Sequence, residues 1–160
     1  MKEIPLTQGY VALVDDCDYE RVSAHKWHAE PVPRLSGICV YAQRTFRLEG
    51  KTCAIRLHRF LICPPPGLVV DHKNGDGLNN VRDNLRICSR SQNQWNRKQQ
   101  NGKSQYKGVY LDLRNGKWVS QISAHGQRKH LGCFCAEIDA AREYDKAAVE
   151  IFGAFAQLNF

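Results

Sequence analysis

The chain has no apolar run approaching the ~20 residues needed to cross a bilayer, and no apolar stretch follows the lysine of its opening MKEIPLTQGY. Neither a membrane span nor a signal peptide is expected, and the expected location is intracellular, in cytoplasm or nucleoid. No CxxC pair occurs either. The seven cysteines (Cys17, Cys39, Cys53, Cys63, Cys88, Cys133 and Cys135) are odd in number, and the one close pair is spaced CxC. A structural zinc site normally needs two paired ligand clusters, so the thiols read as free and buried, in a reducing compartment. Internal repeats and low-complexity tracts are absent.

Negative charge is the scarcer sign. Sixteen Asp+Glu stand against 23 Lys+Arg, a formal +7 with pI near 9.1. Such an excess favours a polyanionic partner through counterion release, which makes nucleic acid the first candidate. The excess is local: between Arg82 and Lys107 the only acidic residue is Asp83.

What is present is enough apolar residue, 42% of 160, for one ordinary domain or two small ones. Residues 1–60 read as β-rich: Tyr10 to Val14 is a short strand ended by Asp15-Asp16, and Cys39 to His58 folds back at Glu49-Gly50. In that hairpin Phe46, Leu48, Ile55 and Leu57 are expected to face a core. Thr45, Arg47, Arg56 and His58 then face the other way, toward solvent or phosphates. Pro64-Pro65-Pro66-Gly67 breaks the chain before a second strand, Leu68 to Val70, that runs into Asp71-His72. A polar loop from Lys73 to Asn80, a strand from Leu85 to Cys88 and a helix from Ser89 or Ser91 to about Lys98 complete a ββα unit over 61–98. Residues 99–105 read as a linker. Beyond it, strands are predicted over Tyr106–Leu113, Lys117–Ser123 and Gln127–Phe134, with turns at Asn115-Gly116 and Gly126. A helix follows in which Ala140, Ala141, Tyr144, Ala147, Ala148 and Ile151 recur at helical spacing. The fold class is α+β.

Hydrolysing a phosphodiester needs a divalent cation on hard oxygen ligands and a base to take a proton from water. An imidazole of pKa about 6.5 suits the base. Asp71, His72, Asn84 and Asn93 supply those groups, with Asn79 and Asn80 as rivals for Asn84. Cys88 has no basic partner and is not expected to be a nucleophile.

The DH pair, the NLR that follows and the helical SQNQWNR resemble the HNH endonuclease family, especially its homing branch in phages and mobile elements. The resemblance implies a metal-dependent DNA endonuclease acting on duplex DNA, in the host cell if phage-encoded. Asp71 and Asn93 would hold one Mg²⁺ or Mn²⁺ ion, His72 would be the general base, and Asn84 would accept its other ring proton. His58, in LHRFLI, is expected to be structural. The alternative is a catalytically silent DNA-binding regulator.

A second resemblance covers 106–160. YKGVYLDLRNGKWVSQI, HLGCF and AEIDAAREYDKAAVEIFGAFAQLNF are similar to the ethylene-response-factor (APETALA-type) DNA-binding domain. That likeness implies a three-stranded antiparallel sheet on one helix, laid in the major groove. It assigns DNA contacts to Lys107, Tyr110, Gln121, Ser123, Arg128 and His130; Arg114 and Lys117 flank the Asn-Gly turn and face either phosphate or solvent. Tyr110, Ser123 and His130 stand where plant members often carry Arg or Trp, so the plant target sequence does not carry over. Trp118 is expected in the core.

Overall fold

The computed structural model describes residues 1–34, 37–97 and 103–160. Helix makes up 29% and strand 41%, and the paired strands are antiparallel, which is the expected α+β class. The chain divides into two compact units, Met1–Arg90 and Ser91–Phe160.

In the first unit β1 (Lys2–Pro5) pairs antiparallel with β2 (Val11–Val14), burying Ile4, Ala12 and Val14. The Asp15-Asp16 strand end is also a helix start. Asp15 is extended, and Asp16 and Asp18 occupy the first turn of α1 (Asp16–Ser23), where carboxylates suit the positive end of the helix dipole. This helix was not legible in the sequence. Trp27, buried beyond it, donates its ring N–H to the Val22 carbonyl at 2.9 Å.

β3 (His28–Arg34), β4 (Gly37–Leu48) and β5 (Lys51–Arg56) form an antiparallel meander. The β4–β5 turn lies at the expected Glu49-Gly50, both at positive φ (48° and 75°), as a two-residue hairpin of right-handed twist requires. The facing differs from expectation. Leu48 is exposed at the hairpin tip, and the segment read as strand through His58 turns helical at Leu57. In α2 (Leu57–Ile62), Leu57 and Leu61 are one turn apart and both buried, and His58 is buried beside them.

β6 (Val69–His72) and β7 (Leu85–Cys88) pair antiparallel, with Asp71 opposite Arg86 and His72 opposite Leu85. One core cluster contains Ile4, Val14, Val22, Trp27, Ala42, Leu57, Leu61, Val70 and Leu85. The amino-terminal β region and the β6–β7 hairpin therefore share a core, where the sequence had divided them at residue 60.

The second unit begins within α3 (Arg90–Trp95). Trp95 stacks on Phe152 at 4.6 Å between ring centroids, which joins α3 to the carboxy-terminal sheet and helix. β8 (Val109–Asp112), β9 (Lys117–Ala124) and β10 (Gln127–Phe134) form the expected antiparallel sheet in the order β10-β9-β8, and α4 (Glu137–Phe152) packs against it. Ala140, Ala141, Tyr144, Ala147 and Ala148 are buried, as their spacing predicted; Trp118 packs beside them with Val109 and Phe134. Of the expected linker, 99–102 lie outside the described residues. Ser104 is buried, and its hydroxyl accepts from the Tyr106 N–H at 3.0 Å, so packing begins before Tyr106.

Candidate active site and nucleic-acid interface

Asp71 and His72 are the last two residues of β6 and both are 6% exposed. The Lys73–Asn84 loop explains how they are fixed. It turns back on β2: Leu13 donates to the Leu78 carbonyl at 2.9 Å, and the Asn80 N–H donates to the Leu13 carbonyl at 2.8 Å. Gly77 lies against β4, where a Cβ would meet the Val40 carbonyl oxygen at 2.5 Å. Arg82 donates through Nε and a terminal nitrogen to both oxygens of buried Asp18, at 2.7 and 2.8 Å. Its guanidinium lowers the Asp18 pKa from the ordinary 3.8.

This packing leaves Asn80 fully buried beside His72. The Asn80 amide nitrogen donates to the carbonyls of Leu78 (3.0 Å) and Gly77 (3.4 Å), so its oxygen is the atom that faces His72 Nε2, at 3.4 Å. An amide oxygen only accepts. Nε2 therefore carries the proton in the neutral ring, and Nδ1 is the basic nitrogen. Burial holds the His72 pKa below its ordinary 6.5, against the opposing effects of Asn80 and Asp71, so the ring is neutral at neutral pH. Asn84, expected in the role of Asn80, does something else. Its amide donates to the Asn79 carbonyl (2.7 Å) and to Asn74 Oδ1 (3.0 Å) and accepts from the Asn74 N–H, closing the loop on itself.

Asp71 pairs with Arg86 across the hairpin, at 2.8 and 2.9 Å, both contacts falling on Oδ2. No group of three His, Cys, Asp or Glu side chains that could hold a metal exists among the described residues. That donor set does not form a closed protein cage. One buried carboxylate beside an imidazole fits instead a Mg²⁺-type ion that takes its other ligands from water and phosphate. Asn93 is half-buried on α3 and belongs to the second unit. Cys88 is buried and its thiol is pushed up to about 11, mainly by burial, which keeps it protonated. It is the one buried cysteine; Cys39 and Cys53 are half-buried and Cys17, Cys63, Cys133 and Cys135 are exposed, against the expectation of buried thiols.

The sequence reading held Asn80 only as a rival of Asn84, missed Arg86 as the partner of Asp71, and placed His58 on the wrong face. His58 lies edge-on to His72, ring centroids 4.9 Å apart, and Tyr41 is tilted against both, at 5.7 and 6.0 Å. Burial and then the neighbouring His72, Arg56 and Arg59 push His58 down to about 3.

In the second unit, strand alternation and register sort the predicted contacts. On β9, Lys117, Gln121 and Ser123 share the face away from α4. Across the register Tyr110 sits opposite Val119, His130 opposite Gln121 and Arg128 opposite Ser123, so these three share it too. Arg114 lies in the β8–β9 turn, its N–H bound to Asp112 Oδ1 at 3.0 Å. Lys107 is not on that face as a free cation. Half-buried, it donates to the Trp95 carbonyl at the end of α3, and burial pushes its pKa down to about 8.

A family model described as HNH endonuclease matches residues 63–95. An uncharacterized HNH endonuclease of Acanthamoeba polyphaga mimivirus is 31% identical over 111 residues, 66% of this chain and 57% of that one. Protein 3.8 of Escherichia phage T7 is 32% identical over 65 residues, 40% of this chain and 54% of its own. The AP2-like ethylene-responsive transcription factor TOE2 of Arabidopsis thaliana is 46% identical over 57 residues, 36% of this chain but 12% of that factor. The chain thus spans a small part of the plant factor and little more than half of each viral protein. The stretch that matches the HNH endonuclease model, residues 63–95, contains Asp71 and His72, and 57 residues of the chain are similar to an AP2-like factor.

Proposed function

We propose that this protein is a metal-dependent DNA endonuclease of the HNH type, with the β6–β7 hairpin carrying its catalytic pair and the carboxy-terminal sheet as its duplex reader. The observation that carries the reading is the buried Asp71–His72 pair within the matched segment, with the His72 tautomer set by Asn80. His72, neutral at working pH, takes a proton from the attacking water on Nδ1, and Asn80 keeps the ring plane fixed while the charge forms. A divalent cation held by Asp71 would supply charge neutralisation at the scissile phosphate. The second ligand, Asn93, and a part for Asn84 rest on the family resemblance alone. Tyr110, Lys117, Gln121, Ser123, Arg128 and His130 form the row that meets DNA, positioning the cut. One catalytic set per chain means one strand cut per encounter, so the product is nicked DNA.

The test is conversion of supercoiled plasmid to open circle at low salt by wild type and His72→Ala, each with Mg²⁺, Mn²⁺ or EDTA. Nicking that needs metal and disappears in His72→Ala, with DNA binding retained, is the expected result. Tight binding without cutting by wild type would overturn the nuclease reading. The similarity of 57 residues of the chain to a plant transcription factor then favours a silent DNA-binding regulator.

A further inference from the structure

His58 is 7% exposed, yet no hydrogen bond reaches its ring among the described residues. Burying an imidazole without a partner is costly, roughly 1–3 kcal/mol, and a phenyl ring would pack edge-on to His72 without that cost. The His58 ring lies edge-on beside that of the general base, 4.9 Å between centroids.

The charges that act on His58 itself are cationic, Arg56 and Arg59; at His72, Arg34 is opposed by Asp71 and Asp76. Arg56 is offset by Glu30 at 2.7 Å. Arg34, exposed at the end of β3, lies over the Tyr41 ring and donates to its hydroxyl, and has no carboxylate partner among the described residues. A neutral imidazole can still donate one N–H, and a partly dehydrated donor near arginine side chains suits a phosphate oxygen.

Resting on the endonuclease reading above, we propose that His58 is a second functional imidazole, whose ring N–H hydrogen-bonds a non-bridging oxygen of the DNA phosphodiester held beside His72, with Arg34 as the neighbouring cation. His58 keeps its proton throughout and stabilises charge on the phosphate, while His72 carries out the proton transfer. The part is distinct from that of a packing post for the His72 ring.

Two substitutions separate donor from packing. His58→Phe keeps an aromatic edge against His72 and removes the N–H; His58→Gln keeps an N–H and removes the ring. Single-turnover nicking should fall about 10²-fold in His58→Phe, the usual loss for one donor at a reacting oxyanion, and by less than tenfold in His58→Gln. Far-UV circular dichroism and melting confirm that both fold. Nicking by His58→Phe at the wild-type rate, or a larger loss in His58→Gln than in His58→Phe, would overturn the proposal. A measurement independent of cutting uses wild-type protein in EDTA: the ¹H–¹⁵N ring resonances of His58 on titration with a short duplex DNA, and separately with inorganic phosphate. The resonances shift with duplex if the bond forms; unchanged resonances at saturation refute it even in a protein that nicks. A shift in a protein that never nicks sustains the phosphate contact and defeats only the endonuclease reading.

Discussion

The two units bury different kinds of polar group: carboxylates and imidazoles in the first, and among the described residues of the second Asn96, Ser104 and Ser120. The first buries Asp18, His58, Asp71, His72 and Asn80, and among the described residues all but His58 hold a protein hydrogen-bond partner. The second lays Tyr110, Lys117, Gln121, Ser123, Arg128 and His130 on the open face of a sheet, over a helix whose buried stripe is largely alanine. Buried groups in a low-dielectric surrounding are strongly oriented and intolerant of displacement. Exposed ones are screened and adaptable, and each contributes little. Substitutions in the first unit should therefore change geometry, and those on the sheet face should change affinity.

The largest effects come from glycines where backbone meets packed side chains. At Gly108 φ is +77°, and a Cβ would fall 2.0 Å from the Tyr144 ring and 2.7 Å from the Gln121 carbonyl. Gly108→Ala should destabilise the second unit by roughly 3 kcal/mol or more, combining overpacking with backbone strain. Amide hydrogen exchange measures it: Val119 and Ile122 lose protection while Val14 and Val22 keep theirs. Equal losses at all four would show that the units unfold as one.

Gly77→Ala is the counterpart in the first unit, worth about 2 kcal/mol because the contacting atoms are backbone at 2.5 Å and the Tyr41 ring at 2.7 Å. Here protection at Val14 falls and that at Ile122 does not. Nicking also falls further than stability explains, because Asn80 is three residues along the same loop. A variant that melts early yet nicks normally when folded would detach the loop from His72.

Arg82→Ala removes the partner of a carboxylate that is 4% exposed, but Arg82 itself is half-exposed, so the expected loss is discounted to about 1–2 kcal/mol. The folded Asp18 pKa lies below its ordinary 3.8, so the stabilisation is present above that value and is lost as pH falls through the lower, folded one. Urea midpoints of wild type and Arg82→Ala should differ at neutral pH and converge in acid. A gap independent of pH would assign the loss to packing of the arginine stem.

Local signals in the sequence were sufficient for much of this. The Glu49-Gly50 turn, the β6 and β7 strands, the three-stranded sheet and the helical stripe on α4 each depend on neighbours a few residues away. What escaped depends on contacts far along the chain. Asn80 rather than Asn84 meets His72 because the loop hydrogen-bonds to Leu13, 67 residues earlier than Asn80. Apolar residues in RLHRFLI alternate like a strand over their first half, and only the burial of both Leu57 and Leu61 makes α2 the better solution, which carries His58 inward. Lys107 was assigned by family position, but the ending of α3 at Trp95 gives it a carbonyl to bind.

That last difference allows the smallest and sharpest test of the contrast between buried and exposed groups. Arg128 lies on the open face and is exposed, so its charge is available to phosphate; Lys107 is half-buried and its charge is opposed by burial. Arg128→Ala should weaken duplex binding by roughly 1 kcal/mol and reduce the slope of log affinity against log salt by about 0.9, the value for one released counterion. Lys107→Ala should leave the slope unchanged and instead lower the stability of the second unit, because the Trp95 carbonyl loses its donor. Affinities of both variants measured across a salt series, beside their melting curves, decide the matter. A reduced slope for Lys107→Ala with wild-type melting would return Lys107 to the DNA-contacting row. An unchanged slope for Arg128→Ala would mean that this end of the sheet face does not meet phosphate, and would shift the footprint toward Tyr110 and Lys117.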